Sequence, residues 1–269
     1  MQLPPQHSVQ GLVKHYLILN QQTDQQQQYR MFSDGNPGMV FHLKNPLLQW
    51  NEGDLTPGLQ PRSFVYGQLS RYNTISSSGA LDMIVVVLEP HAIFSHFHIP
   101  ADQLTDQRIP LIDLFGQEAR DLEEQVLSAL TIDVALNCIE KFLSKGEFLS
   151  NGLKGEIAEA MQVIYQHRGM INIDQLLQLV PITERQLERK FREVIGTTPK
   201  KFADTIKFQN LLKLFQQQPA HEKISALIYR SGYYDQAHLN NNFKRMTGLT
   251  PGHYKDARQL LAINLMTLY

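Results

Sequence analysis

The stretch from Leu187 to Phe202 recurs 52 positions later, from Leu239 to Tyr254. Leu187 falls on Leu239, Phe191 on Phe243, Gly196 on Gly248, Thr198 on Thr250, Pro199 on Pro251 and Phe202 on Tyr254. Upstream, Asn172–Ile173 and Leu176–Leu177 correspond to Ile224 and Leu227–Ile228 with a slip of one residue. Self-similarity at this period marks one supersecondary unit used twice. Each copy reads as a short helix, a turn, a second helix and a glycine stop. Thr183 with Gln186 three residues on makes a capping-box start for the second helix of the first copy, and Asp235 caps that of the second. Leu187/Phe191 and Leu239/Phe243 are i,i+4 pairs that would hold these helices to a core. The run from Lys201 to Phe215 is long enough for a helix joining the two units.

With those apolar pairs turned inward, the opposite faces carry chemistry. In the first copy they present Arg185, Glu188, Arg189 and Arg192; in the second, Gln236, Ala237, Asn240, Asn241 and Lys244. A guanidinium can bond guanine O6 and N7 with two donors, and an Asn or Gln amide suits adenine N6 and N7. Glu188 can accept from cytosine N4, or pair with Arg185 or Arg192. On an isolated helix such residues usually do no more than solvate a face. On the second helix of a repeated helix–turn–helix, base reading by Arg185, Glu188, Arg189, Gln236, Ala237, Asn240 and Asn241 outweighs that. Lys200, Lys201, Lys244, Arg245 and the helix N-termini are the expected phosphate contacts, although lysines at helix ends are commonly just solvated.

Charge agrees with this division. The net charge is only −1, yet residues 156–258 hold 15 Lys and Arg against 10 Asp and Glu, and the remainder is acidic. One half suits a polyanion; the other belongs to something else.

That other half reads differently. To about Asp113 it is a series of strand-like runs, Gly11–Leu19, Gly38–Lys44, Ser63–Leu69 and Leu81–Pro90, broken by clusters such as SDGNPG and SSSG. Short strands with turn signals predict an antiparallel barrel or sandwich. The polar run QQTDQQQQ (21–28) reads as a solvated hairpin loop. Residues 116–146 then show two amphipathic helices whose Leu122, Val126, Leu130, Leu136, Ile139 and Phe142 exceed what one stripe needs. They either cover the barrel or also provide a dimer surface. KGEFLSNGLKG (145–155), with its three glycines, reads as a linker, and everything after it to about Leu265 has a helical pattern.

Several functions find no support. The only cysteine, Cys138, sits in an apolar helical pattern and reads as a packed thiol. His96 and His98 lie in what reads as a helix, where the imidazoles would point about 200° apart, unlike a metal-binding pair on a strand. No serine elbow, phosphate-cradling glycine loop or HExxH motif occurs, and no cofactor is implied. There is neither a membrane-spanning apolar run nor a signal pattern, so the expected location is cytoplasmic.

ITERQLERKFREVIGTTPKKF and ISALIYRSGYYDQAHLNNNFKRMTGLTPGHY resemble the two helix–turn–helix units of AraC/XylS-type transcription regulators. The resemblance covers about a hundred residues, and its GYYDQAHL…FK…G-x-TP frame is highly specific. HYLIL, SDGNPGMVFHL, VYGQLSR, VVVLEPHAIFSHFHIPADQLTD and IPLIDLFG resemble, more weakly, a sensor-like domain fused to such units. The chain departs from the family at Leu177, Ile228 and Leu211, where small residues are usual, at Pro181 in the first bend, and at Asn241, where a long cation is common.

The resemblance implies an α+β chain in three parts. Residues 1–113 form a β-rich, cupin-like sensor domain, 114–150 a helical covering or dimerisation segment, and 151–269 an all-α double helix–turn–helix domain. It implies a non-enzymatic regulator that binds double-stranded DNA and has no membrane association. A small-molecule effector, a homodimer and RNA polymerase are further expected partners. A catalytic cupin-like enzyme with a secondary DNA-binding unit, and an interaction module without DNA binding, are the alternatives.

Overall fold

The computed structural model describes residues 1–50, 55–145, 152–217, 228, 230–256 and 260–268. Most of the expected linker, and Ile224 and Leu227 of the second copy, lie outside them.

Two antiparallel six-stranded sheets build the N-terminal half. The first runs β1 (Gln2–Leu3), β2 (Val13–Gln21), β9 (Leu81–Leu88), β4 (Gly38–His42), β7 (Ser63–Tyr66) and β10 (Arg108–Pro110). The second runs β11 (Leu260–Ala262), β12 (Leu265–Leu268), β3 (Gln27–Met31), β8 (Asn73–Ser77), β5 (Leu48–Trp50) and β6 (Gly58–Leu59). The β-rich expectation holds, with two facing sheets in place of one closed barrel. β9 shows why its apolar run is almost unbroken. Strand side chains alternate, so Ile84, Val86 and Leu88 face one core while Met83, Val85 and Val87 face the other.

The outer core lies under α2 (Leu111–Ser128) and α3 (Ile132–Leu143), which Thr131 caps by accepting from Val134 N at 3.3 Å. Leu122, Val126, Leu136, Ile139 and Phe142 are buried here, and only Leu130 of that apolar set is exposed, at 96%. The excess apolar surface therefore covers the sheet. Buried Glu140 on α3 accepts from the Tyr16 hydroxyl at 2.9 Å and from Gln6 N at 3.0 Å, tying helix to strand. Cys138 is half-buried against this core.

Two expectations are corrected. The polar run at 21–28 does not close a hairpin, because β2 and β3 belong to different sheets. It carries the chain across the sandwich, and solvation alone does not specify which strands a turn will pair. The segment after the second repeat is not helical to Leu265. Residues 260–268 form β11 and β12, and β12 pairs with β3, Leu265 opposite Met31 and Leu268 opposite Gln28.

The remaining helices are α1 (Ala92–Phe97), α4 (Glu156–Gln166), α5 (Ile173–Leu179), α6 (Glu184–Ile195), α7 (Pro199–Gln217), α8 (Gln236–Thr247) and α9 (Pro251–Asp256). α1 ends with His96 buried and His98 exposed. Among the described residues, no three His, Cys, Asp or Glu side chains converge as a metal site. No helix among them is long and apolar enough to cross a membrane.

Candidate nucleic-acid interface

The repeat becomes two helix–turn units packed on α7. In the first, the Thr183 side chain accepts from Gln186 N while Gln186 accepts from Thr183 N, closing the capping box. Leu187 and Phe191 are fully buried against Leu176, Val180 and Phe202. In the second, Asp235 accepts from His238 N at 2.7 Å, and Leu239 and Phe243 are fully buried against Phe208, Leu211 and Tyr254. Phe202 N and Tyr254 N bond Thr198 O and Thr250 O at 2.9 and 3.1 Å, so the Gly-x-Thr-Pro stop starts the next helix in both copies.

The large residues that stand where the resembled family has small ones are absorbed. Leu211 and Ile228 lie inside the second core, and Leu177 packs on the edge of the first. Pro181 is exposed in the bend, where its missing N–H costs no helical bond.

Burying one face leaves the other in water. Arg185, Arg189 and Arg192 on α6, and Gln236, Ala237, Asn240, Asn241 and Lys244 on α8, are exposed, while Glu188 is half-exposed. Arg189 pairs with Glu193 at 3.5 Å and Arg192 with Glu188 at 3.7 Å. Exposed i,i+4 pairs contribute only a few tenths of a kcal/mol, so these guanidiniums can exchange partners for an incoming anion. Lys200 and Lys201 are exposed at the start of α7, and Arg245 reaches Asp204 at 3.6 Å. Tyr234, 88% exposed beside the Asp235 cap, adds an aromatic ring that residue-type reasoning passed over.

The N-terminal half grips both units at matching points. Gly196 and Gly248 end α6 and α8 in the left-handed region. Thr105 Oγ1 donates to Gly196 O at 2.6 Å, and Arg30 Nη1 donates to Thr247 O at 2.9 Å. Both donors serve carbonyls that a helix end leaves without intrahelical partners. Arg30 also lies over the Tyr72 ring at 4.4 Å and places a cation at the negative end of α8. Phe32 enters the second core, 6.0 Å from Phe208 between ring centres, while Phe94 packs on the first. Gln209 Nε2 on α7 donates to Ser33 O at 2.8 Å.

Between the sheets lies a cavity of about 760 Å³. Leu17, Val40, Phe64, Ile75, Val85 and Leu265 are among its apolar walls, and Lys14, Asp34, Tyr165, Gln209 and Lys213 also line it, so it reaches α7. Gln49 and Gln60 add polar lining, and Gln60 Nε2 donates to Gln49 Oε1 at 2.7 Å. That turns the Gln60 carbonyl to His42, whose Nε2 donates at 3.0 Å. Burial holds the His42 imidazolium down at a pKa of about 4, against the opposing bond to Gln60. None of this cavity was anticipated from residue patterns, because its walls come from strands distant in sequence.

Comparison with known proteins adds to this geometry. Residues 176–257 match a family described as a helix-turn-helix domain, and residues 1–110 match a domain of unknown function, DUF6597. An uncharacterized HTH-type transcriptional regulator of Haemophilus influenzae is 24% identical over 56% of this chain and 53% of its own length. The HTH-type transcriptional regulator MtrA of Neisseria gonorrhoeae is 26% identical over 62% of this chain and 56% of its own. The chain thus spans a little over half the length of these curated relatives. Among solved structures, an apo ToxT variant of Vibrio cholerae is 11% identical with a TM-score of 0.53, covering 89% of this chain and 96% of that one. At that identity the likeness speaks for the fold alone.

Proposed function

We propose that the chain is an AraC-type regulator that binds double-stranded DNA sequence-specifically through α6 and α8 and regulates transcription, a reading supported by the matched helix-turn-helix domain and the similar transcriptional regulators. The observation that carries this is the pair of capped, exposed, chemically distinct helix faces produced by one repeated unit. If both helices enter successive major grooves on one side of the duplex, their centres lie one turn, roughly 34 Å, apart. Arg185, Glu188 and Arg189 then read one half-site, and Gln236, Ala237, Asn240 and Asn241 the other. Lys200, Lys201, Lys244 and Arg245 hold phosphates. The second unit is the weaker reader, since Asn241 is short where a long cation is common in the family.

The cavity is the seat of an effector, a largely apolar small molecule with room for polar ends beside Gln49 and Gln60 or Lys14 and Lys213. In this reading the protein is a binding protein and not an enzyme, and it works in the cytoplasm. A second copy would meet it at exposed Leu127, Leu130 and Val134, and RNA polymerase is the expected partner for activation. A salt-titrated binding assay against the DNA upstream of its own gene tests the proposal. Tight binding whose affinity falls steeply with salt supports it; no preference for that DNA over a scrambled duplex counts against it.

A further inference from the structure

The cavity between the sheets changes chemistry along the strands. Antiparallel register stacks the inner face of the first sheet into three cross-strand rows. His15 and Val87 stand in one row with Gly38, Tyr66 and Arg108. Leu17, Val85, Val40 and Phe64 form the next. In the third, Leu19 and Met83 lead to His42, which donates to Gln60. The outer rows are polar, and the middle one is hydrocarbon. At about 3.3 Å per residue, the four steps from His15 to Leu19 set the outer rows roughly 13 Å apart.

The two ends differ in charge. In the first row Gly38 leaves room that the Tyr66 hydroxyl fills, since a Cβ there would meet that oxygen at 2.5 Å. Asp34 acts electrostatically on His15, Tyr66 and Tyr165, and beside it Lys14 Nζ donates to Asn36 Oδ1 at 3.1 Å. Tyr66 and Tyr165 line the cavity, and neither hydroxyl has a hydrogen-bond partner among the described residues. The other charged wall residues belong to this end. Arg108 stands in the row, Asp106 precedes it, and Lys213 lies one helical turn from Gln209, which bonds Ser33 O next to Asp34.

The far end is uncharged. Gln49 and Gln60 are 1% and 5% exposed and bonded to each other, and His42 behind them is neutral near pH 7, its pKa held to about 4 by burial. An ion placed against these amides would have no counter-charge, which is costly. A hydrocarbon end would displace water from them without replacing its hydrogen bonds.

We infer that the cavity takes an elongated amphiphile with a hydrogen-bonding group at each end. Its head lies beside His15, Tyr66 and Asp34, its hydrocarbon middle runs along Leu17, Val40 and Val85, and an uncharged hydroxyl or carbonyl terminus meets Gln49 and Gln60. This names the class of effector for the site proposed above and rests on that reading. An amphiphile with a plain alkyl tail fits the middle row but leaves the far amides unpaired.

Equilibrium dialysis of the full-length protein against decanol and decane-1,10-diol isolates the far terminus, because the two probes differ by one hydroxyl. The diol should bind about fivefold more tightly, the gain from one net hydrogen bond. Gln49→Leu should reverse the order and make decanol the tighter ligand. Both probes are compared on the same protein, so a general loss of stability leaves their ratio readable. If Gln49→Leu fails to fold, the wild-type ratio decides alone. Equal binding by the wild type, tighter binding of decanol to it, or a diol preference that survives Gln49→Leu overturns the inference while the effector cavity stands. No binding of either probe overturns both.

Discussion

Gly196 and Gly248 end α6 and α8 in the same conformation, φ 85° and 73°, and both rest against the N-terminal half. A Cβ on Gly196 would meet Ala101 O at 2.8 Å, and one on Gly248 would run into Arg30 Nη1 and the Tyr72 ring. The repeated sequence is thus matched by repeated docking, although the residues that receive it, Thr105 and Arg30, share nothing in sequence.

Alanine at either glycine combines backbone strain with that crowding. We expect Gly196→Ala and Gly248→Ala each to destabilise the protein by about 1–3 kcal/mol, read as a lower urea midpoint at unchanged slope. Gly252→Ala, in open space and without positive φ, should stay close to wild type.

Asp235 supports the start of α8 by its bond to His238 N. Asp235→Ala should cost about 1 kcal/mol of stability. Because the loss falls on α8 alone, the proposed DNA binding should weaken at the half-site of the second unit and persist at the first. Footprinting across an operator separates the two.

His42 sets a pH dependence. Its folded-state pKa of about 4 lies below the ordinary histidine value near 6.5, so between these the unfolded chain binds more protons. Its contribution is complete above pH 6.5 and is lost as the pH falls towards 4, a swing on the order of 3 kcal/mol. His96, also held to about 4 by burial and by His91 and His98, acts in the same direction. Denaturant midpoints from pH 7 to 4 should therefore fall. His42→Leu should flatten the slope, even though Gln60, left without its partner, lowers the whole curve.

Much of the interface was legible in the sequence because its determinants are local. Caps at Thr183 and Asp235, i,i+4 pairs at Leu187/Phe191 and Leu239/Phe243, and the glycine stops each act within one or two turns of helix. The strands from Gly38 and Leu81 were equally plain from their apolar runs. What escaped was non-local. Thr105 and Arg30 read as ordinary surface residues until folding brings them to Gly196 and Thr247. LLAINLMTL (260–268) has strand character, with Asn264 at its turn, but its position behind a helical repeat made it read as helix. Its partner lies more than two hundred residues away, and no local pattern selects it.

The direct test of DNA reading is binding to randomised duplexes, with a salt titration, for wild type, Arg189→Ala and Lys201→Ala. Arg189 would lose a bidentate base contact, so its variant should change the preferred base at one position, at a cost of about 1–3 kcal/mol. Lys201 would lose a phosphate contact, so its variant should keep the preferred sequence, bind every duplex more weakly and show a salt slope smaller by about one. A preferred sequence left intact by Arg189→Ala but altered by Lys201→Ala would contradict this division of roles.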